Sequence, residues 1–453
     1  MRALRRVLLA GLTVAMFAAP AARAATFVSA SHVSDLACPN APPPQPVRPP
    51  ALAHAPPPNT LMPTQAELGA LAIPARREPP VLDLAKLPAF ALRDGTQPRA
   101  RRIAVWGDSH IAAGPFMAEL SGAIAAHGET VGTRFLPPTM GRANVRLPTL
   151  HAYCIGTGWS TALAFTAPAP LATGPALTNR VAAAGPESYL WLDFRDGHGE
   201  SDLKRLQLVY RPLADAAVTV SVNDGPEEVL ALPGGNGSAL ATIEADAPIA
   251  TVKLRVSAGQ VVLEGFLLDR IAPPLVTFDV FGLPSSTVRG WANADPAAIG
   301  DALHGESYDA VALEYGTNEG SDPNFDAAKY AGLLNKALTN LRSVFPGASC
   351  LLVGPPDRGV LLARRGETGT DYLRFARIHR RIAQAQAEIG ARFGCVAWDW
   401  QDYMGGPGGS YGWAFSDPVL IGGDLTHMTM RGYRRTGQAL AKSLGWTDDL
   451  YPR

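Results

Sequence analysis

Five short apolar runs, with helical spacing between them, constrain this chain more than any other feature. The first is Ile103-Ala104-Val105-Trp106, and residues 275–281, 310–315, 350–354 and 395–398 repeat it. After the first run, Phe116, Leu120 and Ile124 recur at helical spacing until Gly128 stops them. Further helical stretches are predicted over 326–344 and 371–391. A last helix over about 430–444 places Met430, Tyr433, Leu440 and Leu444 on one face. Strands alternating with helices in this way predict a parallel sheet covered on both faces.

The alternation breaks once. Between about 176 and 272 helical periodicity disappears and strand-like alternation takes over. Val218, Val220 and Val222 alternate with Thr219 and Ser221 before the turn Asn223-Asp224-Gly225-Pro226, and Val252, Leu254 and Val256 alternate with Lys253 and Arg255. This predicts an all-β sandwich. It is inserted into the α/β domain, because α/β strands resume at Leu275. The predicted division is therefore 99–175 and 273–453 for the α/β domain, and 176–272 for the insert.

The N-terminus has its own logic. Arg2, Arg5 and Arg6 precede an apolar stretch over 7–19, and Ala22-Arg23-Ala24 offers a small-x-small cleavage site. Residues 1–24 read as a secretory signal peptide. Cleavage after Ala24 removes four Arg and no acid, leaving 36 basic against 40 acidic residues. No basic excess points to nucleic acid, and no apolar run in the mature chain reaches membrane-spanning length. Residues 25–98 read as an extended tether, dense in Pro and Ala, with Pro42-Pro43-Pro44 and Pro56-Pro57-Pro58.

Four cysteines, Cys38, Cys154, Cys350 and Cys395, form no C-x-x-C pair, which argues against zinc or thioredoxin-like chemistry. In an exported chain disulfides are favoured over free thiols. Cys350 and Cys395 open two consecutive strands and are expected to pair, since such strands are commonly neighbours. Cys38 is expected to pair with Cys154, pinning the tether.

Three segments carry chemistry. Gly107-Asp108-Ser109-His110 ends the first strand and starts a helix, so Ser109 lies at the carboxyl end of a parallel strand, where open α/β sheets place their sites. Asp424-Leu425-Thr426-His427 puts an acid and a base three residues apart, as a neutral imidazole needs when its second nitrogen must activate a serine. Gly316-Thr317-Asn318-Glu319 ends another strand, and an Asn amide there can donate to a developing oxyanion. Gly282, ending the strand over 275–281, offers a backbone N–H. Each alone is also an ordinary turn or helix cap. No His, Cys and carboxylate cluster has metal-ligand spacing, and no cofactor is expected.

Ser109, Gly282, Asn318 and His427, in that order, resemble the four blocks of the SGNH (GDSL-like) hydrolase superfamily. The resemblance covers about 100–175 and 273–447. Two departures stand out: Glu319 replaces a common Asp, and His110 replaces the Leu of GDSL. The resemblance implies a flavodoxin-like parallel sheet with Ser109, Asp424 and His427 as catalytic residues. It also implies an oxyanion hole from Ser109, Gly282 and Asn318. An insert after the serine block, with Gly354-Pro355-Pro356-Asp357 and Trp398-Asp399-Trp400, is similar to the bacterial O-acetylpeptidoglycan esterases, whose insert resembles a carbohydrate-binding module.

The expectation is an exported, periplasmic or secreted esterase whose partner is an acetylated polysaccharide, with peptidoglycan foremost. A deacetylase or acetyltransferase of an exopolysaccharide such as cellulose is the nearest alternative. A catalytically silent polysaccharide-binding protein is the alternative from another class. No apolar lid segment supports a lipase.

Overall fold

A computed structural model of the chain describes residues 25–27, 60–69, 71, 77–94, 97–126 and 128–447. The proposed signal peptide and Cys38 lie outside the described residues, and with Cys38 so does the expected Cys38–Cys154 pair. In the α/β domain, β1 (Arg101–Gly107), β2 (Val131–Gly132), β3 (Val276–Gly282), β4 (Ala310–Glu314), β5 (Ser349–Val353) and β6 (Cys395–Trp398) form one sheet. Its order is β6-β5-β4-β1-β3-β2, with every pairing parallel. A disulfide joins Cys350 to Cys395 across β5 and β6.

Both faces of this sheet are covered, which is why its central strands carry continuous apolar runs rather than an alternating pattern. Ile103 and Val105 face one core with Phe116, Leu120, Tyr433 and Leu440. These come from helices α2 (Pro115–Ala126) and α5 (Met430–Ser443). Ala104 and Trp106 face the other core with Leu338, Leu341, Ile382 and Ile389. These come from α3 (Ala327–Val344) and α4 (Arg374–Arg392). Local signals fix the helix starts. Asp326 accepts from the N–H groups of Ala328 and Lys329, and Thr429 accepts from that of Gly432.

The insert is a sandwich of two mainly antiparallel sheets around its own core, with Leu206, Leu208, Val218, Val220, Ile243 and Leu254 among the buried residues. It begins earlier than the pattern suggests. Phe135–Leu136, Ala152–Ile155 and Ser160–Leu163 are strands of these sheets. The boundary expected at 176 therefore moves to about 135. These strands have four residues or fewer and little apolar–polar contrast, so no period could mark them.

The expected tether is corrected as well. Leu68, Leu82, Leu87, Phe90 and Leu92 are buried in the same core as Trp398 and Trp446. The Trp446 indole donates to the Phe90 carbonyl at 2.8 Å. Apolar side chains at irregular spacing dock here without a regular element to announce them.

Insert and sheet are joined by buried polar groups. The Trp106 indole N–H donates to the Pro175 carbonyl at 2.6 Å. Asp279, on β3, accepts from the backbone N–H groups of Arg134 (2.8 Å) and Phe135 (3.1 Å) and from the Tyr308 hydroxyl (2.9 Å). Burial pushes the Asp279 carboxyl up to about 6.

Candidate active site

β1 lies between β3 and β4. The chain leaves β1 for one side of the sheet and later crosses to the other, and this reversal opens a crevice at the carboxyl ends of the strands. Gly107 ends β1 there. A β-carbon on it would lie 2.2 Å from Ile111 Cγ1 and 2.8 Å from Glu314 Oε2, so only glycine lets the chain turn into the short helix α1 (Ser109–Ala112). Asp108 caps that helix by accepting from the His110 N–H at 2.9 Å. Ser109 is its first residue, so its own N–H has no intrahelical partner.

The Asp424 turn meets Ser109 from the far end of the chain. Asp424 Oδ1 accepts from the N–H groups of Thr426 and His427, each at 3.0 Å, and Leu425 takes a left-handed conformation with its side chain buried. His427 Nδ1 donates to Asp424 Oδ2 at 2.7 Å. The other ring nitrogen, Nε2, then accepts from the Ser109 hydroxyl at 2.9 Å. Burial raises the Asp424 pKa, but the hydrogen bonds and charge of His427 outweigh it, and the net direction is down. An ionised Asp424 fixes the tautomer in which Nε2 is the base. His110 is buried behind this pair. Its Nδ1 bonds the Tyr433 hydroxyl at 2.9 Å, and its ring centroid lies 5.4 Å from that of His427.

Asn318 comes to the same crevice from the end of β4. Its Nδ2 donates to the Ser286 carbonyl at 2.8 Å and lies 3.3 Å from Asp108 Oδ2. The first contact fixes the amide, and the long second one leaves an N–H that a better acceptor can claim.

Gly282 does not fit its expected role. The next N–H, that of Leu283, donates to the Gly107 carbonyl at 2.9 Å. Successive N–H groups of a strand point to opposite edges, so the Gly282 N–H is directed away from β1 and Ser109. Its glycine is a packing requirement instead: a β-carbon would lie 2.3 Å from the Ala112 nitrogen.

Sequence reasoning missed a layer of carboxyl groups beneath Ser109. Glu314, the last residue of β4, is fully buried, and its Oε2 accepts from the Asp108 N–H at 3.2 Å. Burial and the neighbouring Asp108 charge push its pKa far up, so Glu314 holds the proton of this pair. A charged residue inside an otherwise apolar strand was the available signal. Glu319 belongs to the same layer. Its Oε1 accepts from the Val288 N–H at 2.8 Å, while its enclosed Oε2 has no partner among the described residues.

Burial raises Glu319 from 4.5 to about 7. A carboxyl raised on folding binds a proton that the unfolded chain has released, so stability falls as pH rises from 4.5 to about 7 and is flat above. Glu319→Gln has no such proton to lose. Relative to wild type it should gain about 3 kcal/mol between pH 4.5 and pH 8, read from urea unfolding. Parallel pH profiles for the two proteins would show that Glu319 is ionised in the fold.

Among the described residues no group of three or more His, Cys, Asp or Glu side chains could hold a metal ion, and no helix is long and apolar enough to cross a membrane.

No family model matches the chain, and no curated protein does. Solved structures match. A peptidoglycan O-acetylesterase superposes with a TM-score of 0.60 at 22% identity, covering 80% of this chain and 94% of that one. A carbohydrate esterase family 2 enzyme plus carbohydrate-binding domain from Corynascus thermopiles (Myceliophthora fergusii) gives a TM-score of 0.27 at 14% identity, covering 63% and 98%. An acetyl xylan esterase gives 0.26 at 13% identity, covering 37% and 79%. The first likeness establishes the fold, a parallel α/β core interrupted by a β insertion. The other two are too distant to argue from.

Proposed function

We propose that this protein is an exported serine esterase that removes O-acetyl groups from a bacterial polysaccharide, with peptidoglycan the foremost substrate. The observation that carries the reading is the continuous hydrogen-bond chain from Ser109 through His427 to Asp424. It lies beside Asn318 at the carboxyl end of a parallel sheet. Ser109 Oγ attacks the acetyl carbonyl while His427 Nε2 takes its proton. The Ser109 N–H and the Asn318 N–H that Asp108 holds only at 3.3 Å receive the developing oxyanion. His427 then protonates the departing sugar oxygen, and water, activated by the same imidazole, releases acetate. Export is supported by the N-terminal signal pattern and by the Cys350–Cys395 disulfide, a bond favoured in oxidising compartments. The likeness to a peptidoglycan O-acetylesterase supports the choice of substrate.

The test is acetate release from O-acetylated peptidoglycan, alongside chromogenic esters of increasing acyl length. Acetate should be released from the polymer, and turnover should fall as the acyl chain lengthens. Faster cleavage of long-chain esters, with no release from any acetylated glycan, would place the protein among lipases.

A further inference from the structure

Two arginines beside this crevice share an aromatic ring rather than an acid. Arg365 pairs with Glu67 at 2.7 Å, Arg380 with Asp399 at 2.6 Å, and Arg377 with Asp371. Arg358 and Arg374, in the same stretch of chain, form no ion pair with a carboxylate among the described residues. Instead both guanidinium groups lie against one ring. The Arg358 Cζ is 4.7 Å, and the Arg374 Cζ 4.6 Å, from the centroid of Phe375. Burial lowers the Arg358 pKa; the Asp424 charge works against this, and the nearby Arg374 charge adds to it. Two cations held this close repel one another; the ring offsets part of that cost, and the one acid whose charge reaches Arg358, Asp424, is already engaged by His427.

The pair is tied to the reacting groups on two sides. Arg358 follows β5, and its neighbour Gly359 donates its N–H to the Leu425 carbonyl at 3.0 Å, within the Asp424 turn. The Arg358 guanidinium donates to Ser321 Oγ, and Ser321 in turn donates to the Thr317 carbonyl at 2.8 Å, beside Asn318. Arg374 is exposed, so its free donors reach solvent at this edge.

From this geometry we infer that Arg358 and Arg374 form an anion subsite next to Ser109, which takes a carboxylate carried by the acetylated polymer. The inference rests on the esterase reading and narrows it to anionic glycans over neutral ones. Guanidinium forks suit carboxylates geometrically, and stacking on Phe375 holds them in place before the ligand arrives. The carboxylate belongs either to a uronate ring or to a peptide attached to the sugar, and recognition is the same for both.

The experiment compares kcat/KM for acetate release from three polymers: an O-acetylated uronate polymer, O-acetylated peptidoglycan and O-acetylated xylan, the last being neutral. The wild-type protein should favour at least one carboxylate-bearing polymer over xylan by about tenfold to a hundredfold. The arm that is favoured identifies the source of the carboxylate. Added salt should erode that preference. Arg374→Glu should reduce the anionic-to-neutral ratio at least tenfold, mainly through KM, and Arg374→Lys should retain part of it. Arg374 is the residue to change, because Arg358 also braces the Ser321 turn. Equal wild-type activity on anionic and neutral polymers, or an unchanged ratio in Arg374→Glu, would overturn the subsite and leave the esterase reading intact. Absence of acetate release from all three polymers and from small acetate esters would overturn the esterase reading itself, and the subsite with it.

Discussion

Ser109→Ala should reduce acetyl-ester turnover by at least about 10⁴-fold, because the residues that remain can bind the ester but have no atom with which to form the acetyl-enzyme. The fold should not register the change. Ser109 Oγ bonds only His427 Nε2 among the described contacts, and the helix it starts is capped by Asp108 instead. Urea midpoints of the two proteins should therefore agree while their rates do not. Asp424→Asn is a graded companion. It keeps the oxygen that accepts from Thr426 and His427, so the turn survives, but it loses the charge that fixes the imidazole. Its loss should be large but smaller than that of His427→Ala. Normal turnover by Ser109→Ala on any ester would end the serine mechanism.

Asn318→Ala should lower kcat by about a hundredfold to a thousandfold with little change in KM, the pattern of a donor that acts on charge developing in the transition state. Stability should fall too, by about 1–3 kcal/mol, since the Ser286 carbonyl loses its partner. The two effects separate by measurement, with unfolding midpoints reporting the carbonyl and single-turnover rates reporting the oxyanion. A rise in KM at constant kcat would mean that Asn318 only holds substrate.

The sheet was legible because the runs 103–106, 310–313 and 350–353 within β1, β4 and β5 are unbroken apolar stretches, a pattern that a strand covered on both faces needs. The meeting of Ser109 with Asp424 and His427 was legible for a related reason. A polar turn at the end of such a strand is drawn to the crevice that strand order creates. Gly282 was misread because glycine signals two opposite things, a backbone that must donate and a backbone that another segment must touch. The α1 contact decides for the second. Glu314 was passed over inside an apolar run, although one carboxyl in a fully buried strand has to be explained by a partner. The early sandwich strands and the docked segment around Leu82 and Phe90 share a cause. Too few residues stand in a row for any period to rise above the local composition, and only the surface they cover gives them a place.

The polar joints between the sheet and the insert bear on how this protein unfolds. Asp279 belongs to the sheet, but the N–H groups it binds belong to the segment that starts the sandwich, and the Trp106 indole likewise finds its acceptor at Pro175. Separating the two bodies would hand this carboxyl, two amides and an indole to water, losing about 0.5–1.5 kcal/mol for the indole bond and about 1.5–3 kcal/mol for each bond to the carboxylate. It would also expose Phe135, Val209 and Leu267 of the sandwich, which are buried in one core with Trp106 and Phe281 of the sheet. The sandwich is thus a second core without thermodynamic independence. Heat should take both apart in a single cooperative step, with no intermediate in which one survives the other.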